Sequence, residues 1–195
     1  MAFAEAVRAG RAPRHLPGEP GVWVFIAGDM LVFALLFGTF LYYRAQDPQL
    51  YLEHQGLLNQ GYGLINTLLM LSSSWLVALA VQAARAARAA ATARLLALAL
   101  LCGAAFVVAK AFEWSEKIGA GFTITSNDFF MYYYLLTGIH LLHVLIGVGV
   151  LLFLWRGVRS RNLAAQIGVL ESGASFWHLV DLLWIVLFPL LYLIH

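Results

Sequence analysis

The stretch FFMYYYLLTGIHLLHVLIGVGVLLFLW, residues 129–155, is the strongest indication of the structural class of this chain. It contains no Asp, Glu, Lys or Arg from its first residue to its last. An α-helix needs about 20 residues to cross the hydrocarbon core of a bilayer, so this run predicts a membrane-spanning helix. Two histidines, His140 and His143, lie near its middle.

Four further apolar stretches have the length of a membrane span, at residues 22–43, 62–84, 95–114 and 174–194. The chain is 62% hydrophobic and 11% charged, whereas soluble domains carry about 25% charged residues. None of the stretches shows the alternating pattern of a β-barrel strand. The sequence therefore predicts an all-α membrane protein. We expect a bundle of five transmembrane helices that forms one domain over residues 22–195, after an N-terminal segment at residues 1–21.

Basic residues predict the orientation of this bundle. Nine arginines lie in the N-terminal segment and in the second and fourth loops. The opposite side has Arg44 and Lys117, together with Lys110 near the end of its span. Because cytoplasmic loops carry the excess of Lys and Arg, we expect a cytoplasmic N-terminus and a periplasmic C-terminus. The arginines are spread over short segments, so they do not indicate a nucleic-acid-binding surface.

Turn-forming residues mark the connections between the spans. Asp47 and Pro48 follow the first span, and Asn127 precedes the fourth, where its side chain can cap the free amides of a helix. The alanine-rich run at residues 83–93 is predicted to be a helix end that leaves the membrane.

Ionisable side chains within the spans are the candidates for function. A charged side chain at the bilayer centre costs roughly 2.5–3.5 kcal/mol on insertion scales, so such groups face protein, water or each other. The pairs His140/His143 and His178/Asp181 are each spaced by three residues, which places their members on one side of a helix. The predicted polar network comprises Asp29, Glu113, His140, His143, His178 and Asp181.

Three kinds of chemistry are open to these residues. Histidines at positions 140, 143 and 178, with Glu113 or Asp181, could ligate a metal or a haem, since imidazole suits iron, copper and zinc. Ser172 and Ser175 precede His178, but one helix offers neither the strained turn nor the oxyanion donors of acyl transfer. A structural or proton-handling network requires only the residues present, and we favour it. The single cysteine, Cys102, excludes an internal disulfide.

Six stretches in order resemble the signatures of haem-copper oxidase subunit III, and they extend over nearly the whole chain from the first span onward. They are GVWVFIAGDMLVF at 21–33, LINT at 64–67, FEWSE at 112–116, GFTIT at 121–125, GIHLLHVLIG at 138–147 and FWHLVDLLW at 176–184. Residues 17–23 and 28–30 resemble most closely the branch found alongside bacterial nitric oxide reductases.

The resemblance implies a five-helix form of this subunit in the bacterial inner membrane. Such a subunit has no redox centre of its own, binds phospholipid, and packs on the catalytic subunit I, which holds the haem and the copper or iron. It is thought to support proton uptake and to preserve the catalytic subunit during turnover. The resemblance does not decide between cytochrome c and quinol as donor, or between oxygen and nitric oxide as acceptor.

The resemblance also implies roles for individual positions. Asp29 occupies the place of an in-membrane glutamate, and the other five ionisable residues match the family's polar network. The residues expected to have structural, lipid-contacting or helix-packing roles are Asn66, Trp177, Trp184, Gly138 and Gly147. The alternative function is an independent membrane haem or metal redox protein that uses His140, His143 and His178. A visible absorption spectrum of the isolated chain would separate the two.

Overall fold

A computed structural model describes residues 20–160 and 167–194 of the chain, and within these ranges all regular secondary structure is helical. Five of the helices are long and apolar enough to span a membrane, and a short sixth helix lies between the first two spans. This confirms the predicted all-α, five-span fold. The helices are α1 Pro20–Gln46, α2 Pro48–Gln55, α3 Gln60–Arg85, α4 Ala89–Gly119, α5 Asp128–Ser160 and α6 Ile167–Tyr192. Residues 1–19 of the predicted N-terminal segment lie outside the described ranges.

Helices α3 to α6 form a closed four-helix bundle. Each packs against two others, α3 against α4 and α6, and α5 against α4 and α6. Helix α1 lies at the edge and contacts α5 and α6 less extensively. Most of the apolar stretch of α6 is buried, 61%, against 17% for that of α1. The centre of the protein is therefore the space enclosed by α3 to α6.

The connections follow the predicted turn chemistry with two differences. Asn127 caps α5 by accepting a hydrogen bond from Phe130 N at 2.9 Å. The residues after the first span form helix α2, with Asp47 as its N-cap, because Pro48 suits the first helical position. Within the alanine-rich run α3 ends at Arg85 and α4 begins at Ala89, and residues 86–88 form the tight turn between them, in which Ala87 has a φ of 56°.

Tyr51 holds α2 against the bundle. Its ring packs edge-on against Phe40 of α1 at 5.4 Å and Phe129 of α5 at 5.7 Å. The side chain is almost fully buried, and this burial raises the pKa of the Tyr51 phenol well above its usual value. The short helix is therefore part of the folded domain.

Close helix packing depends on two glycines that face Trp177. A Cβ atom at Gly147 of α5 would lie 2.6 Å from the Trp177 ring, and one at Gly103 of α4 would lie 3.0 Å from it. Trp177 of α6 is fully buried between these helices. By contrast, a Cβ at Gly138 would meet Trp114 at 3.6 Å, an ordinary contact distance. Because neither glycine has a Cβ atom, the Trp177 indole fits between α4 and α5.

Candidate functional site: a buried polar core and two flanking histidine pairs

An ion pair lies inside the four-helix bundle. Lys110 and Glu113 are separated by one turn on α4, and Lys110 Nζ lies 2.7 Å from Glu113 Oε2. Their side chains are 1% and 0% exposed. Neither residue is therefore an interfacial charge. Lys110 thus does not belong with Arg44 and Lys117 in the count of basic residues that predicts the membrane orientation. The three-residue spacing of Lys110 and Glu113 indicates this pair from the sequence, because residues three apart are neighbours on the surface of a helix.

Two tyrosines complete the hydrogen bonding of the ion pair. Tyr133 Oη of α5 donates to Glu113 Oε1 at 2.8 Å, and Tyr192 Oη of α6 donates to the same oxygen. Lys110 Nζ also donates to Tyr192 Oη at 3.1 Å and lies 4.7 Å from the centre of the Trp184 ring. Charge compensation, hydrogen bonds and a cation–π contact together offset the burial of both charges. Sequence reasoning identified Glu113 but missed both tyrosines.

His140 lies beside this ion pair in an aromatic environment. Its ring lies 5.6 Å from that of Phe106 and 5.2 Å from that of Trp184. The side chain is fully buried, and neither ring nitrogen has a hydrogen-bond partner within the described part of the chain. Trp184 Nε1 donates to Thr67 Oγ1 of α3 at 3.0 Å. The preceding residue, Asn66, is also fully buried, and its amide has no partner among the described residues.

Asp29 and His143 link the edge helix α1 to the four-helix bundle. His143 Nε2 of α5 lies 3.0 Å from Asp29 Oδ2 of α1, and both side chains are largely buried. His143 Nδ1 lies 2.8 Å from the carbonyl oxygen of Ile139, which can only accept. Nδ1 therefore carries a proton, and the hydrogen bond between Nε2 and the carboxyl group contains one further proton. That proton can reside on either residue, so the pair can exist as a neutral pair or as an ion pair.

His178 bonds primarily to a residue that the sequence analysis did not single out. Its Nδ1 lies 2.7 Å from Ser74 Oγ of α3 and 3.9 Å from Asp181 Oδ2, which exceeds hydrogen-bond distance. The Asp181 side chain is buried, whereas that of His178 is 40% exposed. Glu171, seven residues before His178 on α6, pairs with Arg85 of α3 at 2.8 Å. The His178 site therefore joins α6 to α3.

The three histidines proposed as metal or haem ligands face different neighbours. His140 faces Phe106 and Trp184, whereas His143 bonds to Asp29 of the outer helix. Residues 20–160 and 167–194 contain no group of three or more His, Cys, Asp or Glu side chains placed to hold a metal ion. Ser175 Oγ donates to the carbonyl of Glu171. Within the described residues the three histidines thus form no joint ligand group, and Ser175 bonds to the backbone, so the serine next to His178 is Ser74 of α3.

An apolar cleft opens between α1 and the bundle. It has a volume of about 480 Å³ and lies between the start of α1, the second half of α5 and the start of α6. Its lining includes Phe25, Ile146 and Phe176. The cleft adjoins the edge helix, whose large apolar side chains are mostly exposed.

Comparison with known proteins identifies the family of this chain. The family model described as cytochrome c oxidase subunit III matches residues 17–195. The chain belongs to this family. It is 32% identical to cytochrome c oxidase subunit 3 of Corynebacterium diphtheriae over 197 residues, which cover 100% of this chain and 95% of the relative. It is also 29% identical to cytochrome bo(3) ubiquinol oxidase subunit 3 of Pseudomonas aeruginosa over 177 residues, 89% of this chain and 83% of that protein.

A third subunit III relative has a different organisation. The haem-copper oxidase subunit I+III of Aeropyrum pernix is 29% identical over 184 residues. The match covers 89% of this chain but only 22% of that longer protein. The chain thus corresponds to one part of a polypeptide whose name joins subunits I and III.

Family membership confirms the predicted subunit III resemblance. The chain is a multi-pass membrane protein of a family whose named members are subunits of cytochrome c and quinol oxidases, so it is a subunit of an oxidoreductase. The nitric oxide reductase branch, the network roles of the six ionisable residues and the membrane orientation stay predictions.

Proposed function

We propose that this chain is the non-catalytic subunit III of a bacterial haem-copper terminal oxidase in the inner membrane. In this proposal it packs on the catalytic subunit I, which holds the haem and copper. The family match over residues 17–195 is the observation that carries the proposal. The relative named subunit I+III supports the partner, because its name joins the two subunits on one polypeptide. The relatives named as oxidases favour oxygen over nitric oxide as the acceptor.

The subunit also supports proton uptake in this proposal. The pair formed by Asp29 and His143 is the candidate, because its hydrogen bond holds a proton that either side chain can carry. The pair lies where the edge helix meets α5, with both side chains partly accessible. Such a pair can take up a proton at the surface of the subunit and release it toward a neighbouring polypeptide. The Asp29 side chain is one methylene shorter than the glutamate that the family resemblance implies at this position.

Phospholipid is the proposed ligand of the cleft between α1 and the bundle. The side chains that line it are almost all apolar, which suits acyl chains and offers little to a polar ligand. A bound lipid would cover the exposed side of α1 that packs against no other helix in the described part of the chain. It would thereby hold the edge helix in place.

Purification from native membranes tests this function. A tagged chain extracted in mild detergent is expected to carry a larger polypeptide that contains haem, and the complex is expected to oxidise cytochrome c or quinol with oxygen. The chain released from that complex is expected to show no Soret absorption. A chain that purifies alone, or one that retains haem or stoichiometric metal after separation, would contradict the proposal. Consumption of nitric oxide in place of oxygen would instead assign the complex to the reductase type.

A further inference from the structure

An outward-facing groove runs along α6 between α1 and α3, and we call it the α6 groove. Two hollows of about 230 Å³ and 310 Å³ make up the groove, the first against α3 and the second against α1. Both are lined by Ser175 and His178, so these two residues lie on the ridge between them. Helices α1 and α3 do not pack closely on each other, which leaves this side of α6 open.

His178 of the α6 groove and its hydrogen-bond partner Ser74 lie deep in the membrane-spanning part of the helices. His178 is 11 residues from the start of α6, and Ser74 is 11 residues from the end of α3. At 1.5 Å per residue both lie about 16 Å from the same end of the bundle. That end is fixed by the contact between Arg85 and Glu171. Asp181 lies one turn deeper still.

One exposed polar atom of the groove, His178 Nε2, has no hydrogen-bond partner within the described chain, and the buried carboxyl oxygens of Asp181 have none there either. His178 Nδ1 is bonded to Ser74, but Nε2 makes no hydrogen bond to any of residues 20–160 or 167–194. With 40% of its side chain exposed, His178 presents this nitrogen to the outside of the bundle. The buried carboxylate of Asp181 lies directly behind the ring.

Hydrocarbon does not suit such a surface. Acyl chains provide no hydrogen bond, and an unsatisfied polar group in an apolar medium is costly. Partly exposed ionisable groups in membrane spans therefore face protein or water. The cleft between α1 and α5 is, by contrast, almost wholly apolar. The hollow of the α6 groove next to α1 is equally apolar. The hollow next to α3 has more polar lining, contributed by residues such as Gln82 and His178, and it is the part of the groove that calls for a protein partner.

We propose that the α6 groove receives a transmembrane helix of the catalytic subunit, with a Ser, Thr, Asn or Gln side chain that hydrogen-bonds to His178 Nε2. This deepens the proposed function and rests on it, since it names the face through which subunit III meets its partner. Interhelical hydrogen bonds of this kind contribute to association in membranes, where apolar surface alone gives little preference for protein over lipid. The hollows flanking His178 provide room for side chains on either side of the bond.

Site-specific photocross-linking in the whole complex tests the proposal. A photoreactive amino acid replaces Leu182, an exposed residue that lines the groove next to α1. The matched control position is Leu101, an exposed residue of α4. We expect residue 182 to cross-link to the large haem-bearing subunit, whether or not residue 101 also reacts. Cross-links from residue 182 only to lipid, or only to residues 1–19 of the same chain, would overturn the inference.

A second experiment fills the groove without changing its polar residues. Ala78 of α3 lines the hollow next to α3, and Ala78→Trp should reduce the amount of catalytic subunit that co-purifies at least fivefold. Ala105→Trp, on an exposed position of α4, is the control and should co-purify as the parent does. Undiminished co-purification of Ala78→Trp would overturn the inference. A parent chain that purifies alone would contradict the proposed function itself, so the two failures are distinguishable.

Discussion

Lys110 Nζ and Glu113 Oε2 form a 2.7 Å ion pair that is buried inside the four-helix bundle. Tyrosines from two other helices bond to the same carboxylate. The pair therefore ties α4 to α5 and α6 through groups that water does not reach. Breaking such a pair leaves one buried charge uncompensated, which is more damaging than replacing both partners.

Removing one charge of this pair should destabilise the protein strongly. Lys110→Met or Glu113→Leu alone should lower the free energy of unfolding by about 3–5 kcal/mol, because the remaining charge is buried without compensation. The double variant should recover much of that loss. Thermal unfolding in detergent, followed by circular dichroism, measures the effect. Glu53→Gln is the control, since Glu53 lies on the exposed face of α2. Single variants that melt with the parent would disprove the role of the pair.

Asp29→Asn should separate assembly from proton handling. The amide can still hydrogen-bond to His143 Nε2, so the complex should assemble normally, but the pair loses the carboxyl group that binds a proton. We expect a shorter turnover lifetime or slower proton uptake of the complex, measured by oxygen consumption and by pH-indicator changes in vesicles. Glu53→Gln on the exposed face of α2 is the control. A time course identical to that of the parent would remove the mechanistic role of Asp29.

Gly147→Ala should disturb the packing around Trp177. The added Cβ would lie 2.6 Å from the indole ring, closer than atoms approach without a shift of the backbone or the ring. Overpacking of this kind costs about 1–3 kcal/mol. Gly149→Ala on the same helix is a matched control, because a Cβ there meets nothing within 4 Å. It should be neutral or slightly stabilising, and equal melting temperatures for the two variants would contradict the packing argument.

His178→Ala should weaken the bundle by removing the bond between α6 and α3. The Ser74 hydroxyl loses its 2.7 Å partner, and Asp181 loses the imidazole that lies 3.9 Å from it. Loss of a hydrogen-bond partner by a buried group costs about 1–3 kcal/mol. The variant should therefore lose its folded, detergent-soluble form at a lower temperature than the parent. Ser72→Ala, on the exposed side of α3, is the control and should have no effect. A His178→Ala variant as heat-resistant as the parent would refute this pairing.

The sequence predicted the spans and the important ionisable positions because both depend on local composition. A run without charged residues from 129 to 155 has few alternatives to a transmembrane helix. Asp29, Glu113 and His178 stand out in apolar surroundings wherever their helices are placed. The same reasoning failed for Lys110, since a lysine near the end of a span usually extends to the interface. Only packing shows that Lys110 faces inward.

Periodicity gives little help in such a chain, because lipid is as apolar as the protein interior. On α4, Phe106 is fully buried and Phe112 is 64% exposed, although the two residues are identical in type. The rotation of each helix therefore had to come from the packed structure. That rotation decides that His143 meets Asp29 and that Ser74, rather than Asp181, bonds to His178.

Local composition was thus enough to predict a five-span helical membrane protein, its family resemblance and the set of titratable side chains within it. The tertiary structure alone decided their partners: a lysine and two tyrosines for Glu113, an edge helix for His143, and an open groove for His178. The physical reason is that burying ionisable groups in a membrane requires partners from helices distant in sequence. Which helices meet depends on the packing of the whole bundle.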